Sequence, residues 1–294
     1  MGRAMPIWKQ LLLGLYYHGS WPIRSARNRL WAGTGRAPLM VVMYHRVADD
    51  GANAWTTPNA VFQRQIAWLQ RNFELISLAE LQRRVRAAHN HRPAVSITFD
   101  DGYAANCDQA LPLLVQQNIP FTYFVTSSAI LSGKLFPHDL AMGNRLAPNT
   151  LADLRGLVAA GVEIGGHTRT HADLGAVRSE ATLYDEVVTA GRELEDALAV
   201  PLRYFAFPFG QHRHLNRHAF RLAADAGYAG VVSAYGGYNF AGDDPFHLQR
   251  MGVDGPLIRL KNWTTLDPVK QWRISRYEYR DPDRSLLAAG GRVG

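Results

Sequence analysis

Two adjacent aspartates near the middle of the chain are the first candidates for catalysis. Residues 94–99 read AVSITF and predict a buried strand, which Asp100, Asp101 and Gly102 follow directly. Functional sites of parallel α/β folds assemble at the carboxyl ends of strands. Adjacent side chains leaving a strand point in different directions, so one carboxylate can bind a metal while the other acts as a base. The alternative is a polar turn that caps the next helix.

Two histidines four residues apart follow a second predicted strand, at 162–165. His167 and His171 lie in the stretch GGHTRTH, and on one helical turn both imidazoles could bind the same ion. With one aspartate they would supply three protein ligands and leave an open coordination position, the arrangement of a catalytic zinc site. The same spacing recurs at His214 and His218, which we expect to be solvated on a surface helix.

Two further strand ends carry groups that suit acyl-transfer chemistry. The stretch YFAFPFG at 204–210 contains Phe209, and backbone N–H groups there could stabilise an oxyanion. The stretch MYHRV at 43–47 places His45 at the carboxyl end of a strand predicted over 38–45, where a histidine can act as a general acid. Taken alone, His45 could equally be a hydrogen-bonded structural residue.

Strands and helices alternate from residue 37 onward. Strands are predicted at 38–45, 94–99, 121–126, 162–165, 203–208 and 228–233, and helices at 59–73, from Ser77, and at 104–118, 149–160, 182–199 and 214–226. This alternation predicts a parallel sheet covered by helices. We expect one catalytic domain at 37–255 and a C-terminal extension at 256–294. Periodicity does not decide whether the sheet closes into a barrel.

Composition limits the classes of protein that the chain can form. Its 294 residues are 47% hydrophobic and 19% charged, so a sizeable core is expected rather than disorder. No stretch approaches the roughly 18 consecutive apolar residues of a membrane span. Cys107 is the only cysteine, which excludes an internal disulfide. The net charge of +7 comes without a nucleic-acid-binding signature, so we expect no nucleic-acid partner.

Residues 1–36 differ from the rest of the chain. Trp8, Leu11 and Leu15 follow helical spacing, and arginines come after them. The apolar run is short and interrupted by Gly14, which disfavours a signal peptide and leads us to expect a cytoplasmic location. One hypothesis is an amphipathic helix peripheral on the anionic inner face of a membrane. The alternative is a helix packed on the domain's own surface.

Together these motifs resemble the polysaccharide deacetylases of carbohydrate esterase family four, the NodB-homology domain. The resemblance covers about residues 38–255 and rests on TFDDG at 98–102, HTRTH at 167–171 and FAFPFG at 205–210. It implies an α/β fold, a single-domain distorted (β/α) barrel of about seven parallel strands. It also implies a metal-dependent hydrolase that removes N-acetyl groups from a saccharide and releases acetate.

The resemblance assigns roles to individual residues. The implied roles are the general base for Asp100, an oxyanion N–H for Phe209, and metal coordination for Asp101, His167 and His171. Two imidazoles and a carboxylate suit Zn²⁺, although Co²⁺, Ni²⁺ and Fe²⁺ accept the same ligands.

The chain departs from the commoner family pattern in two places. Ala206 stands where the third motif usually has an arginine that tethers the base, and Arg203 faces the opposite side of the strand. No Leu-x-His motif occurs late in the chain, where the nearest histidine is His247. Both departures resemble the branch with biofilm poly-N-acetylglucosamine deacetylases, whose acid comes from an early Tyr-His pair, here Tyr44 and His45. We therefore expect His45 rather than His247 to be the acid.

Other functions are compatible with the same motifs. The attacking machinery would also serve an O-acetyl ester or a non-sugar amide, and the absent arginine could indicate a non-catalytic glycan-binding module. Among saccharides, the segment 1–36 favours a lipid-linked or intracellular precursor over a mature surface polymer. We expect the aromatic residues Trp55, Phe136, Tyr235 and Tyr238 to shape the groove.

Overall fold

Seven parallel strands form a closed barrel in the computed structural model, which describes residues 5–273 and 275–280. The strands are β1 (Leu39–Tyr44), β2 (Arg46–Val47), β3 (Thr56–Thr57), β4 (Glu74–Leu75), β5 (Ala94–Phe99), β6 (Phe121–Val125), β7 (Glu163–Gly166), β8 (Tyr204–Ala206), β9 (Gly230–Ser233) and β10 (His247–Gly252). The barrel order is β1-β5-β6-β7-β8-β9-β10, and β10 pairs again with β1. The expected barrel of about seven parallel strands is confirmed.

Helices cover the barrel and connect its strands. They are α1 (Ile7–Gly33), α2 (Asn59–Asn72), α3 (Leu78–Arg86), α4 (Ala110–Gln116), α5 (Ser127–Ser132), α6 (Pro137–Ala141), α7 (Leu151–Ala159), α8 (Glu180–Tyr184), α9 (Ala190–Leu198), α10 (Arg217–Asp225), α11 (Leu257–Thr264) and α12 (Pro268–Arg273). A π-helical segment joins α8 to α9. Short 3₁₀ turns precede α4 and α10.

The structure differs from the sequence prediction at several elements. The helix predicted at 104–118 is a 3₁₀ turn followed by the shorter α4, and the helix predicted at 214–226 begins only at Arg217. Strand β10 is not predicted from the sequence. This strand contains Gln249 and Arg250, whose polar side chains interrupt the apolar run that marks a buried strand.

The core has two layers that follow the alternation of side chains along the strands. One layer joins the outer faces of the strands to the helices and includes Tyr44 and Phe99 packed against Phe62 of α2. The other collects the alternate strand residues, such as Val41 and Phe124. Arg250 is fully buried in this second layer, with its guanidinium over the ring of Phe124. A charge at that depth requires specific partners.

A buried arginine of the N-terminal helix α1 forms hydrogen bonds with α11. Arg24, with no exposed surface, donates hydrogen bonds to the backbone oxygen and to Oδ1 of Asn262, both at 2.9 Å, and to Thr265. Asn262 in turn donates to the backbone oxygen of Leu13. Among the residues that the structure describes, no helix has both the length and the apolar character needed to cross a bilayer.

Candidate active site

Asp100 and Asp101 leave β5 at its carboxyl end, and a left-handed turn separates their side chains. Asp101 has φ of 74° and Gly102 has φ of 99°. The positive φ favours glycine at position 102, and an added Cβ would also crowd Cδ1 of Ile130, at 3.1 Å. Both aspartates are buried. The turn directs Asp101 toward the two motif histidines and leaves Asp100 to another partner.

A loop, rather than the helical turn expected from the spacing, brings His167 and His171 together. Thr168 and His171 have φ of 61° and 60°, which is incompatible with a right-handed helix. The Nε2 atoms of His167 and His171 lie 3.4 Å and 3.2 Å from Oδ1 of Asp101. Nδ1 of His167 lies 2.9 Å from the backbone oxygen of Ala206, which orients the ring with Nε2 toward the aspartate.

These three residues fit a divalent metal ion. One potential ligand atom from each of Asp101, His167 and His171 lies within 4.8 Å of the other two. Oδ1 of Asp101 is buried without a hydrogen-bond partner, although it lies close to both imidazoles. Burial raises the pKa of Asp101, but the imidazoles outweigh this effect and hold its pKa well below the ordinary range. The result is an ionised carboxylate beside two nitrogen ligands, a donor set that suits zinc.

Arg250 of β10 holds Asp100 in a bidentate ion pair. Its Nη1 and Nη2 atoms lie 2.6 Å and 2.8 Å from the two carboxylate oxygens, and Nη1 also donates to Thr98. The expectation that Asp100 has no arginine tether is therefore wrong. Ala206 has no side chain that could bind Asp100, and Arg203 is exposed beside Glu163. The guanidinium that holds Asp100 comes instead from β10. No local pattern reveals it, because β5 and β10 are far apart in sequence.

His45 forms a second, partly buried pair, with Asp254, in the same cavity. Nδ1 of His45 lies 3.0 Å from Oδ2 of Asp254. Burial lowers the pKa of His45, but the charge of Asp254 and its hydrogen bond outweigh burial and raise the pKa to about 9. Asp254 was not singled out by the sequence analysis, although it follows β10 as Asp100 follows β5.

The alternative acid, His247, lies at the opposite end of the barrel. It is the first residue of β10, whereas His45 and Asp254 follow the carboxyl ends of their strands. His247 is buried with Nε2 2.8 Å from Oγ of Ser233, and burial lowers its pKa to about 3. It does not line the cavity that contains the aspartates.

One cavity of about 430 Å³ is lined by both aspartates, both motif histidines and the His45–Asp254 pair. Its walls include the residues Met43, His45, Trp55, Asp100, Asp101, His138, His167, His171, Phe207, Phe209, Gln211, His214, Ala234, Tyr235, Gly252, Asp254, Arg259 and Trp263. Trp55 and Tyr235 therefore line the groove as expected. Phe136 and Tyr238 do not: Phe136 packs on Tyr103 in the interior, and the hydroxyl of Tyr238 donates to a backbone oxygen of α11.

Backbone strain is concentrated around this cavity. Four of the seven non-glycine residues with positive φ in the described part of the chain are Asp101, Thr168, His171 and Phe209. Strained conformations persist where the surrounding structure imposes them, and they cluster at functional sites. The ring of Phe209 lies 4.9 Å from that of His171, so the left-handed turn at Phe209 borders the metal-ligand cluster.

Two other histidines line the cavity, and the sequence analysis assigned neither to the site. His214, expected to be solvated on a helix, is instead the buried last residue of a 3₁₀ turn, with its ring 5.0 Å from that of Phe209. His218 is exposed as expected. His138 lies in α6, with its ring 4.8 Å from that of His171 and Nε2 3.0 Å from the hydroxyl of Tyr103. An isolated histidine carries no spacing signal that could have identified it.

Comparisons with known proteins identify a matching family model and similar relatives. Residues 87–231 match the family model for polysaccharide deacetylase. A chitooligosaccharide deacetylase of Bradyrhizobium sp. is 31% identical over 163 residues, which are 55% of this chain and 61% of the relative. The chain thus spans less than two thirds of that relative's length.

Solved structures share the fold at low sequence identity. The structure of IcaB from Ammonifex degensii has a TM-score of 0.63 at 22% identity and covers 78% of this chain and 97% of its own. The Streptococcus pyogenes deacetylase PplD, solved with acetate, has a TM-score of 0.63 at 20% identity and covers 81% of this chain and 100% of its own. Residues 87–231, which carry these motifs, thus match the sequence pattern of polysaccharide deacetylases, and the barrel has the fold of the solved structures named above.

Proposed function

We propose that this protein hydrolyses N-acetyl groups of a saccharide and releases acetate, with a divalent metal bound by Asp101, His167 and His171. The observation that carries the proposal is the joint geometry of one cavity: a three-ligand cluster beside a second, arginine-held carboxylate. Zn²⁺ is the metal that this donor set favours, with Co²⁺, Ni²⁺ and Fe²⁺ as alternatives.

Asp100 serves as the general base in this mechanism. A bound divalent ion supplies Lewis acidity and lowers the pKa of water toward about 7. The bidentate pair with Arg250 fixes the direction of the Asp100 carboxylate, which accepts a proton from the attacking water as the water oxygen bonds to the acyl carbon. The backbone N–H of Phe209 donates a hydrogen bond to the carbonyl oxygen as negative charge develops there.

His45 serves as the general acid that completes the reaction. Protonated His45 donates Nδ1–H to Asp254, which leaves Nε2–H to protonate the sugar nitrogen as the carbon–nitrogen bond breaks. The products are acetate and an amino sugar. The argument for a non-catalytic glycan-binding module, the absence of a tether, no longer applies because Arg250 provides one.

The proposed reaction can be tested with the metal-loaded full chain and matched acetylated substrates. Acetate release would be measured from N-acetylated oligosaccharides, their O-acetylated counterparts and a simple non-sugar acetamide, with metal content determined on the same preparation. We expect release chiefly from the N-acetylated saccharides. Preferential release from the O-acetylated series would instead support an esterase, and no release from any saccharide would refute the proposal.

Replacing Asp254 with asparagine should move the alkaline limit of activity to lower pH. The acid must be protonated, so turnover falls as the pH rises through the pKa of His45, which Asp254 raises. Removing a neighbouring opposite charge shifts a pKa by about one to three units. The pH profile of kcat/KM for Asp254→Asn would be compared with that of Asp225→Asn, an exposed carboxylate on α10. An unchanged alkaline limb in Asp254→Asn would exclude this role.

We further propose that the outer face of α1 contacts an anionic membrane surface. Trp8 and Leu15 each lie nine residues, or about two and a half turns, from the buried Tyr17 and Arg24, and therefore on the opposite face of the helix. Leu11 and Leu15 are 64% and 71% exposed. The helix packs on the barrel by one face, as the alternative interpretation expected, and presents a second apolar face outward.

The charge of α1 favours an anionic lipid surface over another protein face. The helix has no Asp or Glu, while Lys9, Arg27 and Arg29 accompany the buried Arg24. Interfacial helices combine such an apolar face with basic residues, and the cytoplasmic leaflet is the anionic one. This supports a peripheral location on the inner membrane face.

Polar substitutions on the outer face should weaken this contact. We expect the Leu11→Gln/Leu15→Gln variant to bind vesicles containing phosphatidylglycerol about tenfold or more weakly in flotation, because two exposed apolar side chains are lost. The matched control is Leu131→Gln/Leu140→Gln, which removes two exposed leucines elsewhere. Equal flotation of both variants, or no flotation of the unaltered chain, would contradict membrane contact.

A further inference from the structure

The cavity wall formed by α11 carries a positive charge that the mechanism does not use. Arg259 and Trp263, one helical turn apart, both line the cavity that contains the aspartates and histidines. Arg259 is half-buried. Among the described residues, no carboxylate lies within ion-pair distance of its guanidinium, and no hydrogen bond from its side chain is found.

The acids of the cavity already have other partners. Asp100 is held by Arg250, and Asp254 is paired with His45. Asp101 belongs to the metal-ligand cluster, where a bound cation would neutralise it. None of these three carboxylates is therefore available to balance Arg259.

The position of α11 is fixed from behind by the N-terminal helix. Arg24 of α1 donates two hydrogen bonds to Asn262, and Leu260 is completely buried. Trp263 is also held close to the backbone, since a Cβ on Gly236 would lie 2.4 Å from its ring. The wall is thus preorganised, and preorganised groups bind a ligand at a lower entropic cost.

We infer that Arg259 and Trp263 form a subsite that receives an anionic group, a phosphate or a carboxylate, carried by the acetylated saccharide. The inference rests on the proposed deacetylation, because it concerns the substrate of the same cavity. A guanidinium binds either oxyanion through two parallel hydrogen bonds, while the indole ring provides an apolar surface for the adjoining sugar. The subsite thus selects charged saccharides over neutral ones.

The test compares three N-acetylated oligosaccharides of equal length: a neutral one, one with a reducing-end phosphate and one containing a uronic acid. We expect Arg259→Gln to raise KM for the preferred charged substrate about 10- to 100-fold, the effect of losing a charge-assisted hydrogen bond. Neither kcat nor the KM of the neutral substrate should change more than about twofold. Comparison of the two charged substrates identifies the anion. Lys261→Gln, on the same helix but outside the cavity, is the matched control and should behave as the unaltered chain.

Two results would overturn the subsite. One is an equal change in KM for neutral and charged substrates in Arg259→Gln, and the other is no change for any of them. Failure of the proposed function can be distinguished from failure of the subsite, because the unaltered chain would then release no acetate from any saccharide. In that case the same oligosaccharides would not be consumed, and their affinities could be measured by calorimetry. The subsite would then still require tighter binding of a charged oligosaccharide than of the neutral one, and loss of this preference in Arg259→Gln.

Discussion

Replacing His171 with alanine should abolish metal binding and nearly all turnover. In the proposed site the His171 imidazole is one of three metal ligands, beside His167 and the buried carboxylate of Asp101, and its loss leaves two. Lewis-acid stabilisation of the transition state is worth several kcal/mol, which corresponds to a loss of about 10³-fold or more in kcat/KM. Metal content by elemental analysis and acetate release would be measured on the same preparation.

The chain provides a matched control for this variant. His218 has the same spacing from His214 as His171 has from His167, but it is exposed on α10 and lies outside the cavity. His218→Ala should therefore retain both metal and activity. A His171→Ala protein that keeps one metal ion per chain and hydrolyses substrate normally would show that the cluster is not the catalytic metal site.

Replacing Asp100 with asparagine should preserve metal binding but reduce kcat by about 10²- to 10⁴-fold, the range for loss of a general base. The amide has nearly the same shape but cannot accept the proton. It also leaves the guanidinium of Arg250 buried without its counter-charge, which costs about 3–5 kcal/mol of stability. Acetate release, metal content and denaturant unfolding should be measured together.

A double variant separates the chemical effect from the loss of stability. Asp100→Asn/Arg250→Gln removes both charges, so it should recover part of the lost unfolding free energy while remaining inactive. Low activity in a stable double variant would therefore report on the missing base. If either folded variant retained a substantial fraction of the unaltered rate, Asp100 could not be the base.

The candidate catalytic motifs could be predicted from the sequence because each lies within a short segment of the chain. An apolar strand ending in Asp100 and Asp101, and a strand ending in His167, display their burial pattern and polar terminus within a few residues. The parallel barrel followed from the alternation of elements together with the family resemblance. The conformation of the histidine loop did not follow, because the left-handed residues Thr168 and His171 have no sequence signal such as glycine.

The partners of the motif residues depended on contacts between distant segments. Arg250 and Asp254 lie about 150 and 210 positions from the groups they orient. The polar residues of β10 concealed this strand, which contains Arg250 and precedes Asp254. In the same way, α11 reaches the cavity although it follows the predicted domain boundary at 255.

The amino-acid sequence by itself determined which residue types stand at the strand ends, and hence the class of chemistry that the chain can support. Only the tertiary structure decided which charged residues pair and that His45 rather than His247 lines the cavity. It also decided that Arg259 has no ion-pair partner among the described residues there. The physical reason is that strand ends are set by local burial patterns. Ion pairs and cavities arise from barrel closure, which joins β1 to both β5 and β10, strands that lie far apart in the sequence.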